Sequence, residues 1–534
     1  MINSIAKVKC NGSVGVIGSG VSGLTFAYFL NKLRPDLRIT ILDNQHKNGG
    51  WLYSYTFKDE NDNGKEVMVE KGPRTLRGAS PGTAIIIDTF EKMGQIEKVQ
   101  TIESNCTANR KFLLSTNDKL VQVPNKLFSM NTFNLLFKDP LGKNVLSSVL
   151  FEPFRKSKPL TKDETVHEFL SRRFGPSNAI SNNFLSAIYH GIYADDIKKI
   201  SLEKTNPAFY NLEKQHGSII KSLFNSKANN EPNEFLVKYD KYFNSENGSI
   251  FKLHTQLKEF PMLGILGGLQ SLPNMIADQL IKNSPNVHIQ RNEEIVSLNE
   301  NKKTNRITLQ SNKDKNTYEF DHVMITSNPM KIKNLFEGED DIKKELEKAK
   351  SVSTILINYY LPNKDVIPKN LQGFGYLVPQ INENKEKLLG VIFDSVIEKN
   401  FKPFEEGENI LVNDYTKLTL MLGGHYIENL SENKINDSKY WINTSKSLLT
   451  RHLNVSKTDL ENGHWEFTVA KNGLPRFFVN YTEWSNNLKS LISSKYGDKV
   501  TMGGMGFAKG PGVPDVIMKS LHDSIALSGV ENKE

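Results

Sequence analysis

The stretch that decides the fold is Ser13-Val-Gly-Val-Ile-Gly-Ser-Gly-Val-Ser-Gly-Leu24. Its β-branched start predicts a short parallel strand that is buried on both faces. Gly18, Gly20 and Gly23 follow at G-x-G-x-x-G spacing, in which the first glycine allows a tight turn and the second lets a pyrophosphate approach the backbone. The third lets the following helix pack closely against the strand. The stretch therefore predicts the first half of a dinucleotide-binding βαβ unit.

The next strand completes this unit. Arg38-Ile-Thr-Ile-Leu-Asp43 ends on an acid about 20 residues after the last glycine, where a carboxylate can accept hydrogen bonds from ribose hydroxyls. The start of the intervening helix should bind phosphate through its dipole and its free N–H groups. The alternatives without a ligand are a glycine-rich structural turn for the glycines and a helix cap for Asp43. The complete strand–helix–strand context favours a cofactor site over both.

Gly49-Gly50-Trp51 predicts a second loop that approaches the phosphates closely. Trp51 either shields the cofactor or fills the core, and the sequence leaves both open. The cofactor contacts predicted for this part of the chain are Gly18, Ser19, Gly20, Val21, Ser22, Gly23, Asp43, Asn44, Gly50 and Trp51.

Length and composition limit the function classes. A chain of 534 residues is too long for one core, so two or three domains are expected. The formal charge of +8 comes from dispersed lysines and is compatible with an anionic small molecule, an acidic membrane surface or solubility alone. The sequence shows neither a zinc pattern nor a recognition helix, so binding of nucleic acid is the least favoured of these functions. The two cysteines form no disulfide framework and the eleven histidines no metal-ligand cluster, so no metal site is expected.

Residues 127–154 combine apolar helical segments with basic flanks such as Lys138 and Lys143. This pattern fits a surface that dips into one membrane leaflet, and it fits an ordinary buried helical subdomain equally well. The sequence contains no signal peptide and no apolar run of about 18 residues, so no spanning helix is predicted.

Later stretches predict a second sheet, with strands at residues 354–361, 373–378, 388–393 and 415–422. Gly72-Pro73-Arg74 predicts a turn, after which Arg74 is either a surface arginine or a neighbour of the cofactor. The glycine brings the backbone close and favours the second interpretation. His190 is interpreted as structural rather than as a proton shuttle. The glycines that precede a helix near Val513 again suit a close approach to the cofactor.

The succession of G-x-G-x-x-G, acid, Gly-Gly-Trp and Gly-Pro-Arg resembles the two-dinucleotide-binding-motif flavoproteins of the amine oxidase superfamily. Within that superfamily the chain is similar to the fungal branch of the protoporphyrinogen oxidases. This similarity rests on motifs that span nearly the whole chain, namely Glu70-Lys-Gly-Pro-Arg-Thr-Leu-Arg77, Gly373-Phe-Gly-Tyr-Leu-Val-Pro379, Leu389-Gly-Val-Ile-Phe-Asp-Ser395, Gly503-Gly-Met-Gly-Phe507 and Pro511-Gly-Val-Pro-Asp515.

The resemblance implies an α/β fold of the Rossmann-like, two-dinucleotide-binding-motif FAD class, with a mixed-sheet substrate domain and a helical membrane-associating subdomain. The FAD domain would be discontinuous, with parts at residues 1–105, 251–333 and 495–534. Residues 106–250 would form the helical, membrane-associating and substrate region, and residues 334–494 the substrate-binding domain. The FAD would be non-covalent, because no cysteine lies near the C-terminal glycines.

The resemblance also implies site residues. Arg110 would pair with a substrate propionate, which suits the two parallel hydrogen bonds of a guanidinium. The sequence alone favours the alternative, a solvated arginine at a strand end. Gly191 would face the tetrapyrrole, and Leu377 and Phe393 would pack on its two faces. The remaining FAD contacts implied in this way are Gly72, Pro73, Arg74, Thr75, Ile295, Met505, Val513, Pro514 and Asp515.

The implied activity is the oxygen-dependent oxidation of protoporphyrinogen IX to protoporphyrin IX in haem biosynthesis. A hydride would pass from a methylene bridge to the flavin, dioxygen would reoxidise the flavin to give hydrogen peroxide, and three rounds would remove six electrons. No catalytic side chain is expected, since the chemistry is flavin-centred. The implied setting is peripheral attachment to the mitochondrial inner membrane, with handover to ferrochelatase, a homodimer, and no nucleic acid.

Two alternatives stay open at this point. One is another amine or carotenoid oxidoreductase on the same fold. The other is a non-catalytic binding protein of the Rab escort type, against which Asp43 and Gly49-Gly50-Trp51 argue.

Overall fold

A computed structural model of the chain describes residues 8–59, 64–124, 129–157, 162–225, 232–244, 248–313, 315–405 and 414–530. Leu127 and Phe128 of the apolar segment, and residues 1–7 and 531–534 of the predicted domain ranges, lie outside the described residues.

Strands are numbered along the chain. They are β1 (Ser13–Ile17), β2 (Arg38–Asp43), β3 (Ser54–Asp59), β4 (Lys65–Glu70), β5 (Val99–Ile102), β6 (Lys111–Leu114), β7 (Leu120–Gln122), β8 (Met262–Ile265), β9 (Val287–Arg291), β10 (Ile295–Asn301), β11 (Arg306–Ser311), β12 (Thr317–Phe320), β13 (His322–Ile325), β14 (Ser351–Pro362), β15 (Gly375–Leu377), β16 (Leu388–Ile392), β17 (Lys402–Pro403), β18 (Tyr415–Gly423), β19 (His464–Pro475) and β20 (Val500–Met502).

Helices are numbered in the same way. They are α1 (Val21–Leu33), α2 (Pro81–Lys92), α3 (Met130–Phe133), α4 (Val145–Phe151), α5 (Val166–Phe174), α6 (Ser186–Tyr193), α7 (Leu202–Thr205), α8 (Pro207–His216), α9 (Ile219–Asn225), α10 (Glu234–Phe243), α11 (Ser249–Leu257), α12 (Ser271–Asn283), α13 (Asp340–Glu347), α14 (Asp394–Glu398), α15 (Glu432–Ile435), α16 (Ser438–Leu453), α17 (Lys457–Asn462), α18 (Tyr481–Tyr496) and α19 (Val513–Ser528).

The apolar run of β1 forms the centre of a five-stranded parallel sheet, in the order β20-β13-β1-β2-β9. Val14 and Val16 are fully buried, which agrees with a parallel strand covered on both faces. Helices α1, α2, α12 and α19 pack in the cluster on one face, and α13, α18 and the antiparallel β10–β12 meander pack in the cluster on the other. The sheet draws its strands from three distant stretches of sequence, and the domain ranges given above stay predictions.

A second, mixed sheet has seven strands in the order β19-β14-β18-β16-β15-β6-β7. Its pairs are antiparallel except for β15 and β6, which are parallel. One face packs against α16, where Trp441 is fully buried. The predicted fold class, a Rossmann-like domain joined to a mixed-sheet domain, is confirmed. The hairpin β6–β7 extends this sheet, although its residues belong to the region predicted as helical.

The region between α3 and α9 is helical, and a buried ion pair holds it together. Arg173 on α5 binds Glu152, which lies in a 3₁₀ turn directly after α4, and both side chains are fully buried. Glu152 also accepts hydrogen bonds from the Ser218 hydroxyl and from two backbone amides of α9. Burial alone would raise the pKa of Glu152, yet these donors lower it overall. The carboxylate therefore stays charged in the protein interior.

The same region exposes large apolar side chains. The most exposed are Met130, Phe137, Leu150, Phe151 and Phe154, and Phe154 keeps 83% of its surface. Basic residues Lys138, Lys143 and Lys156 are exposed beside them. The interpretation of residues 127–154 as an ordinary buried subdomain is therefore wrong for the part that is described. Among the described helices, none has both the length and the apolar character needed to cross a membrane.

Candidate active site

The glycine loop between β1 and α1 shows why each glycine is required. Gly18 has a φ of +110°, which a side chain disfavours. A Cβ atom on Gly23 would lie 2.0 Å from the Gly18 carbonyl oxygen, so the helix could not pack this closely. A Cβ atom on Gly20 would meet, among the described atoms, only the Cα of Gly50 at 3.9 Å. The second glycine therefore faces an open groove whose other wall is Gly50.

This groove suits a pyrophosphate. Helix α1 starts after Gly20, no side chain caps its N-terminus, and its first turn contains no acidic residue. The N–H groups of its first turn, beginning with Val21 and Ser22, point toward the groove as a site for negative charge. The Gly49 amide donates to the Ser19 carbonyl oxygen at 2.9 Å and fixes the second wall.

Asp43 lies at the end of β2, as predicted. Its Oδ2 accepts from the Ser19 amide at 2.5 Å and from the Ser19 hydroxyl at 2.9 Å, and its Oδ1 accepts from the Gln45 amide at 2.7 Å. Residues 44–51 contain no helix for Asp43 to cap, which excludes the helix-cap alternative, and the bonds leave one acceptor position of the half-buried carboxylate for a further donor. Asn44 is exposed next to it, and the Glu293 amide donates to the Asp43 carbonyl two residues before Ile295.

Trp51 keeps 38% of its surface, which is too much for a residue that fills the core. A Cβ atom on Gly72 would lie 2.0 Å from the Trp51 carbonyl oxygen, so the two turns touch through their backbones. Pro73 is exposed beside this contact and Thr75 is half-buried. That Trp51 shields a cofactor stays a prediction.

Arg74 is tied to the second sheet. Its Nη1 donates to Asp394 Oδ1 at 2.7 Å, and each of the two side chains keeps 9% of its surface. Asp394 Oδ2 also accepts from the Thr419 hydroxyl at 2.7 Å. The alternative of a surface arginine is therefore wrong, and Arg74 links the loop after β4 to the sheet that covers it.

The C-terminal glycines join the same edge of the parallel sheet. Gly504, before the turn that contains Met505, would place a Cβ atom 2.4 Å from the Thr326 carbonyl oxygen, directly after β13. Helix α19 begins with Val513, Pro514 and Asp515 and packs along α1, where the Ser22 and Ser520 hydroxyls lie 3.1 Å apart. The predicted cofactor residues thus converge at the carboxyl ends of β1, β2, β13 and β20, the usual ligand edge of such sheets.

One face of the mixed sheet lies toward the carboxyl edge of the parallel sheet. The strand pairing shows which residues belong to that face. We call this face the roof; it comprises Lys111, Leu113, Leu377, Gly390, Ile392, Met421, Leu356, Thr419, Asn358 and Thr468. The alternating residues, such as Phe112, Tyr376 and Val391, belong to the core that packs on α16. Directly paired residues point to the same side of a sheet, so these two sets lie on opposite faces.

Leu377 lies on the roof between two glycines. A Cβ atom on Gly191 of α6 would lie 3.0 Å from Leu377 Cδ2, and one on Gly390 would lie 2.7 Å from the same atom. Gly191 itself is exposed and Leu377 is half-buried. The structure therefore brings Gly191 and Leu377 together.

Phe393 is placed differently from the prediction. Its side chain is fully buried in the core behind the roof, where its ring makes an edge contact with Tyr376 at a centroid distance of 6.1 Å. Ile392, one residue earlier, pairs with Gly375 and Thr419 and lies on the roof. The structure therefore places Ile392 rather than Phe393 on the roof.

Arg110 lies directly before β6, and its pairing with a substrate propionate stays a prediction. Its backbone is extended, with φ −68° and ψ 137°, and its side chain is half-buried. Lys111 pairs with Gly375, and Leu113 pairs with Leu377, so Lys111 lies on the roof. Its side chain is solvent-accessible, yet burial lowers its pKa, and the charge of Arg77 lowers it further.

The family model described as flavin containing amine oxidoreductase matches residues 21–433. Protoporphyrinogen oxidase of Saccharomyces cerevisiae (strain ATCC 204508 / S288c) is 41% identical, and the match covers 99% of this chain and 100% of that protein. The enzyme of the same name from Schizosaccharomyces pombe (strain 972 / ATCC 24843) is 28% identical over 97% and 99% of the two chains. This chain belongs to the protoporphyrinogen oxidases of the flavin-containing amine oxidoreductase family.

A solved structure of a protoporphyrinogen oxidase homologue supports the fold. The crystal structure, titled as a putative protoporphyrinogen oxidase from Exiguobacterium sp. 255-15, has a TM-score of 0.69 with 17% identity and covers 97% of this chain and 98% of that one. The cofactor of the family is FAD, and the open groove at Gly20, the uncapped start of α1 and the Asp43 carboxylate fit its diphosphate and ribose. FAD supplies the redox chemistry when bound.

Sequence reasoning missed Lys111, Ile392 and Met421. Met421 pairs with Gly390, keeps part of its surface and lies on the roof. A strict period of two, counted from Leu377 through the paired strands, could have found these residues, but the strand partners are not visible in the sequence.

Proposed function

We propose that this protein oxidises protoporphyrinogen IX to protoporphyrin IX in haem biosynthesis, with dioxygen as oxidant and non-covalent FAD as cofactor. The observation that supports the substrate is the composition of the roof. Leu377, Ile392 and Met421 form an apolar surface, and the desolvated cation Lys111 lies near its edge. A macrocycle with apolar faces and a carboxylate at its rim matches both parts. The full-length similarity to protoporphyrinogen oxidases supports the same substrate.

The residues act by binding and orienting. Lys111 holds a propionate, while Leu377 and its roof neighbours exclude water from one face of the ring. Arg74 is held by Asp394 and so keeps the loop at Gly72 in place beneath the roof. FAD held at Gly20, Gly50 and Asp43 would supply the two-electron acceptor for the hydride removed in each round.

Aerobic turnover tests the proposed function. Purified protein with protoporphyrinogen should yield the fluorescence of protoporphyrin together with hydrogen peroxide. A polyamine given to the same protein should yield neither product. A flavin-loaded protein that oxidises the polyamine and leaves the tetrapyrrole unchanged would favour the amine oxidase alternative, which the relatives do not favour.

Lys111→Met should raise the KM for protoporphyrinogen about tenfold and change kcat little, because an ionic hydrogen bond to a carboxylate contributes roughly 1.5–3 kcal/mol. Arg110→Met is the matched comparison, because Arg110 is the neighbouring cation and lies outside β6, and on this proposal its KM should stay near that of the unmodified protein. Steady-state kinetics with both variants checks this. A raised KM in Arg110→Met with an unchanged one in Lys111→Met would restore Arg110 as the anchor.

We also propose peripheral membrane attachment through the exposed apolar residues of α3, α4 and the turn that follows. Phe151 and Phe154 keep 62% and 83% of their surface and flank the buried Glu152, so their rings are held outward. On α6, Ile188 and Ile192 are exposed on either side of Gly191. Because Gly191 contacts Leu377, exposed apolar residues of α6 lie beside the roof, which suits delivery of an apolar substrate from a membrane. A mitochondrial inner membrane, ferrochelatase as acceptor and a homodimer stay predictions.

Phe151→Ser combined with Phe154→Ser should weaken binding to vesicles containing acidic phospholipid by about 100-fold, because burying each ring contributes roughly 1.5–3 kcal/mol. Ile281→Ser is the control, since Ile281 is also exposed (55%) but lies on α12, outside the α3–α4 region. Co-sedimentation with the vesicles measures both variants. Equal retention of the double variant and the unmodified protein would contradict the proposed attachment.

A further inference from the structure

We propose that His190, through its hydrogen bond to His425, is a positioning residue that sets the spacing between Gly191 and Leu377. The inference rests on the proposed function, because it assumes that these two residues border the substrate cleft. In this proposal both imidazoles act through the elements that carry the cleft.

The hydrogen bonds fix one arrangement of protons. His190 Nδ1 lies 2.7 Å from the Val378 carbonyl oxygen, which can only accept, so Nδ1 carries the hydrogen. In a neutral ring His190 Nε2 is then an acceptor. It lies 3.1 Å from His425 Nε2, which must therefore be the donor. Each ring carries one proton, and the opposite tautomers would leave two donors or two acceptors facing each other.

This pair connects the two elements that border the cleft. His190 precedes Gly191 on α6, and Val378 follows Leu377 at the end of β15. The bond from His190 to Val378 therefore joins the helix to the strand one residue away from the contact between Gly191 and Leu377. His425 supports His190 from the far side, with its own amide bound to the Ala194 carbonyl oxygen at 3.0 Å. Loss of the pair should let α6 move relative to β15.

The surroundings keep the pair neutral at neutral pH. Burial lowers the pKa of His190 to about 4, and the neighbouring His425 lowers it as well. Burial likewise lowers the pKa of His425 to about 4. Charges of both signs face His425: Asp196 and Glu428 favour its protonation, whereas Lys199 and Arg476 oppose it. Arg476 is itself bound to Asp195 at 2.5 Å, and Gln380 donates to Asp196 at 2.9 Å.

The sign of the pH dependence follows. Both folded-state pKa values lie below the ordinary value of about 6.5, so the unfolded chain binds protons more readily than the folded one. The contribution of the neutral histidine pair to the free energy of unfolding is complete above about pH 6.5, and it is lost as the pH falls through about 4. A second proton on His190 Nε2 would place two N–H groups against each other and break the pair. The KM for protoporphyrinogen should therefore rise reversibly on the acid side.

Replacements of His425 test the proposal. His425→Phe removes the donor but keeps a ring, and it should raise the KM for protoporphyrinogen about tenfold with little change in kcat. His425→Gln restores an N–H donor and should bring the KM back toward that of the unmodified protein. Histidine-selective ¹⁵N NMR should show the Nδ1–H tautomer at His190, and this reading does not depend on any substrate.

His452→Phe is the matched control. His452 is buried, has a pKa lowered to about 4 by burial and bonds to Tyr376, but it lies behind the roof. It should lower the melting temperature without a change in KM. The same behaviour of His425→Phe, or an Nε2–H tautomer at His190, would overturn the proposal. An unmodified protein that fails to oxidise protoporphyrinogen would instead contradict the proposed function. The tautomer of His190 would still show whether His190 and His425 are hydrogen-bonded as proposed.

Discussion

Gly20→Ala should abolish FAD binding while the protein stays folded, whereas Gly23→Ala should abolish FAD binding and destabilise the fold. Gly20 has a negative φ that alanine adopts freely, and its new methyl group would project into the open groove beside Gly50. Gly23 has no such space, because a methyl group would lie 2.0 Å from the Gly18 carbonyl oxygen. Overpacking of this kind costs roughly 1–3 kcal/mol and often more at a backbone contact.

Flavin absorbance of the purified variants and their thermal unfolding measure the two effects separately. We expect both variants to be colourless and only Gly23→Ala to melt at a clearly lower temperature. Retention of FAD with ordinary affinity by Gly20→Ala would show that the diphosphate does not pass between Gly20 and Gly50. The account of the cofactor groove would then be wrong.

The second large effect is expected at the buried ion pair of the helical region. Arg173→Met should destabilise the protein by about 3–5 kcal/mol, because it leaves the Glu152 carboxylate buried without its cation. The double change Glu152→Gln with Arg173→Met should be less harmful than the single one, since it removes the uncompensated charge. Denaturant unfolding of the two variants measures the difference.

An exposed ion pair supplies the control. Lys385 and Glu383 lie 2.9 Å apart, but each keeps about three quarters of its surface, so Lys385→Met should leave the unfolding transition unchanged. The Arg173 change should also reduce vesicle binding, because Glu152 holds the turn between Phe151 and Phe154. A single Arg173 variant as stable as the unmodified protein would contradict the structural role of the pair.

Local motifs made the cofactor domain predictable. The three glycines and Asp43 lie within one βαβ unit, where spacing alone decides which backbone atoms meet a diphosphate. The structure kept all of them at the carboxyl edge of the parallel sheet. The FAD assignment likewise followed from motifs that are short and continuous in sequence.

The roof was less predictable, for a physical reason. Residues 388–393 are apolar on both faces of the sheet, so their sequence contains no alternation from which the exposed side could be read. A shift of one residue reverses every side chain, so the motif that suggested Phe393 by resemblance could not show that Ile392 is the residue on the roof. A register irregularity between Leu388 and Gly390 adds to the ambiguity.

Contacts between distant stretches could not be predicted at all. Arg74 and Asp394 are 320 residues apart, and His190 and His425 are 235 residues apart. Each pair depends on how two domains meet, and neither partner has a local pattern that identifies the other. The interpretation of His190 as structural agrees with its burial. Its hydrogen bond to His425 makes that structural role testable through variants of His425.

Anaerobic reduction of the bound flavin tests the central claim most directly. FAD-loaded protein is mixed with protoporphyrinogen in the absence of dioxygen, and the flavin absorbance is followed, with a polyamine as the parallel control. The account predicts that the tetrapyrrole bleaches the flavin and that the polyamine does not. A flavin that stays oxidised with protoporphyrinogen, or that is bleached by the polyamine alone, would contradict it.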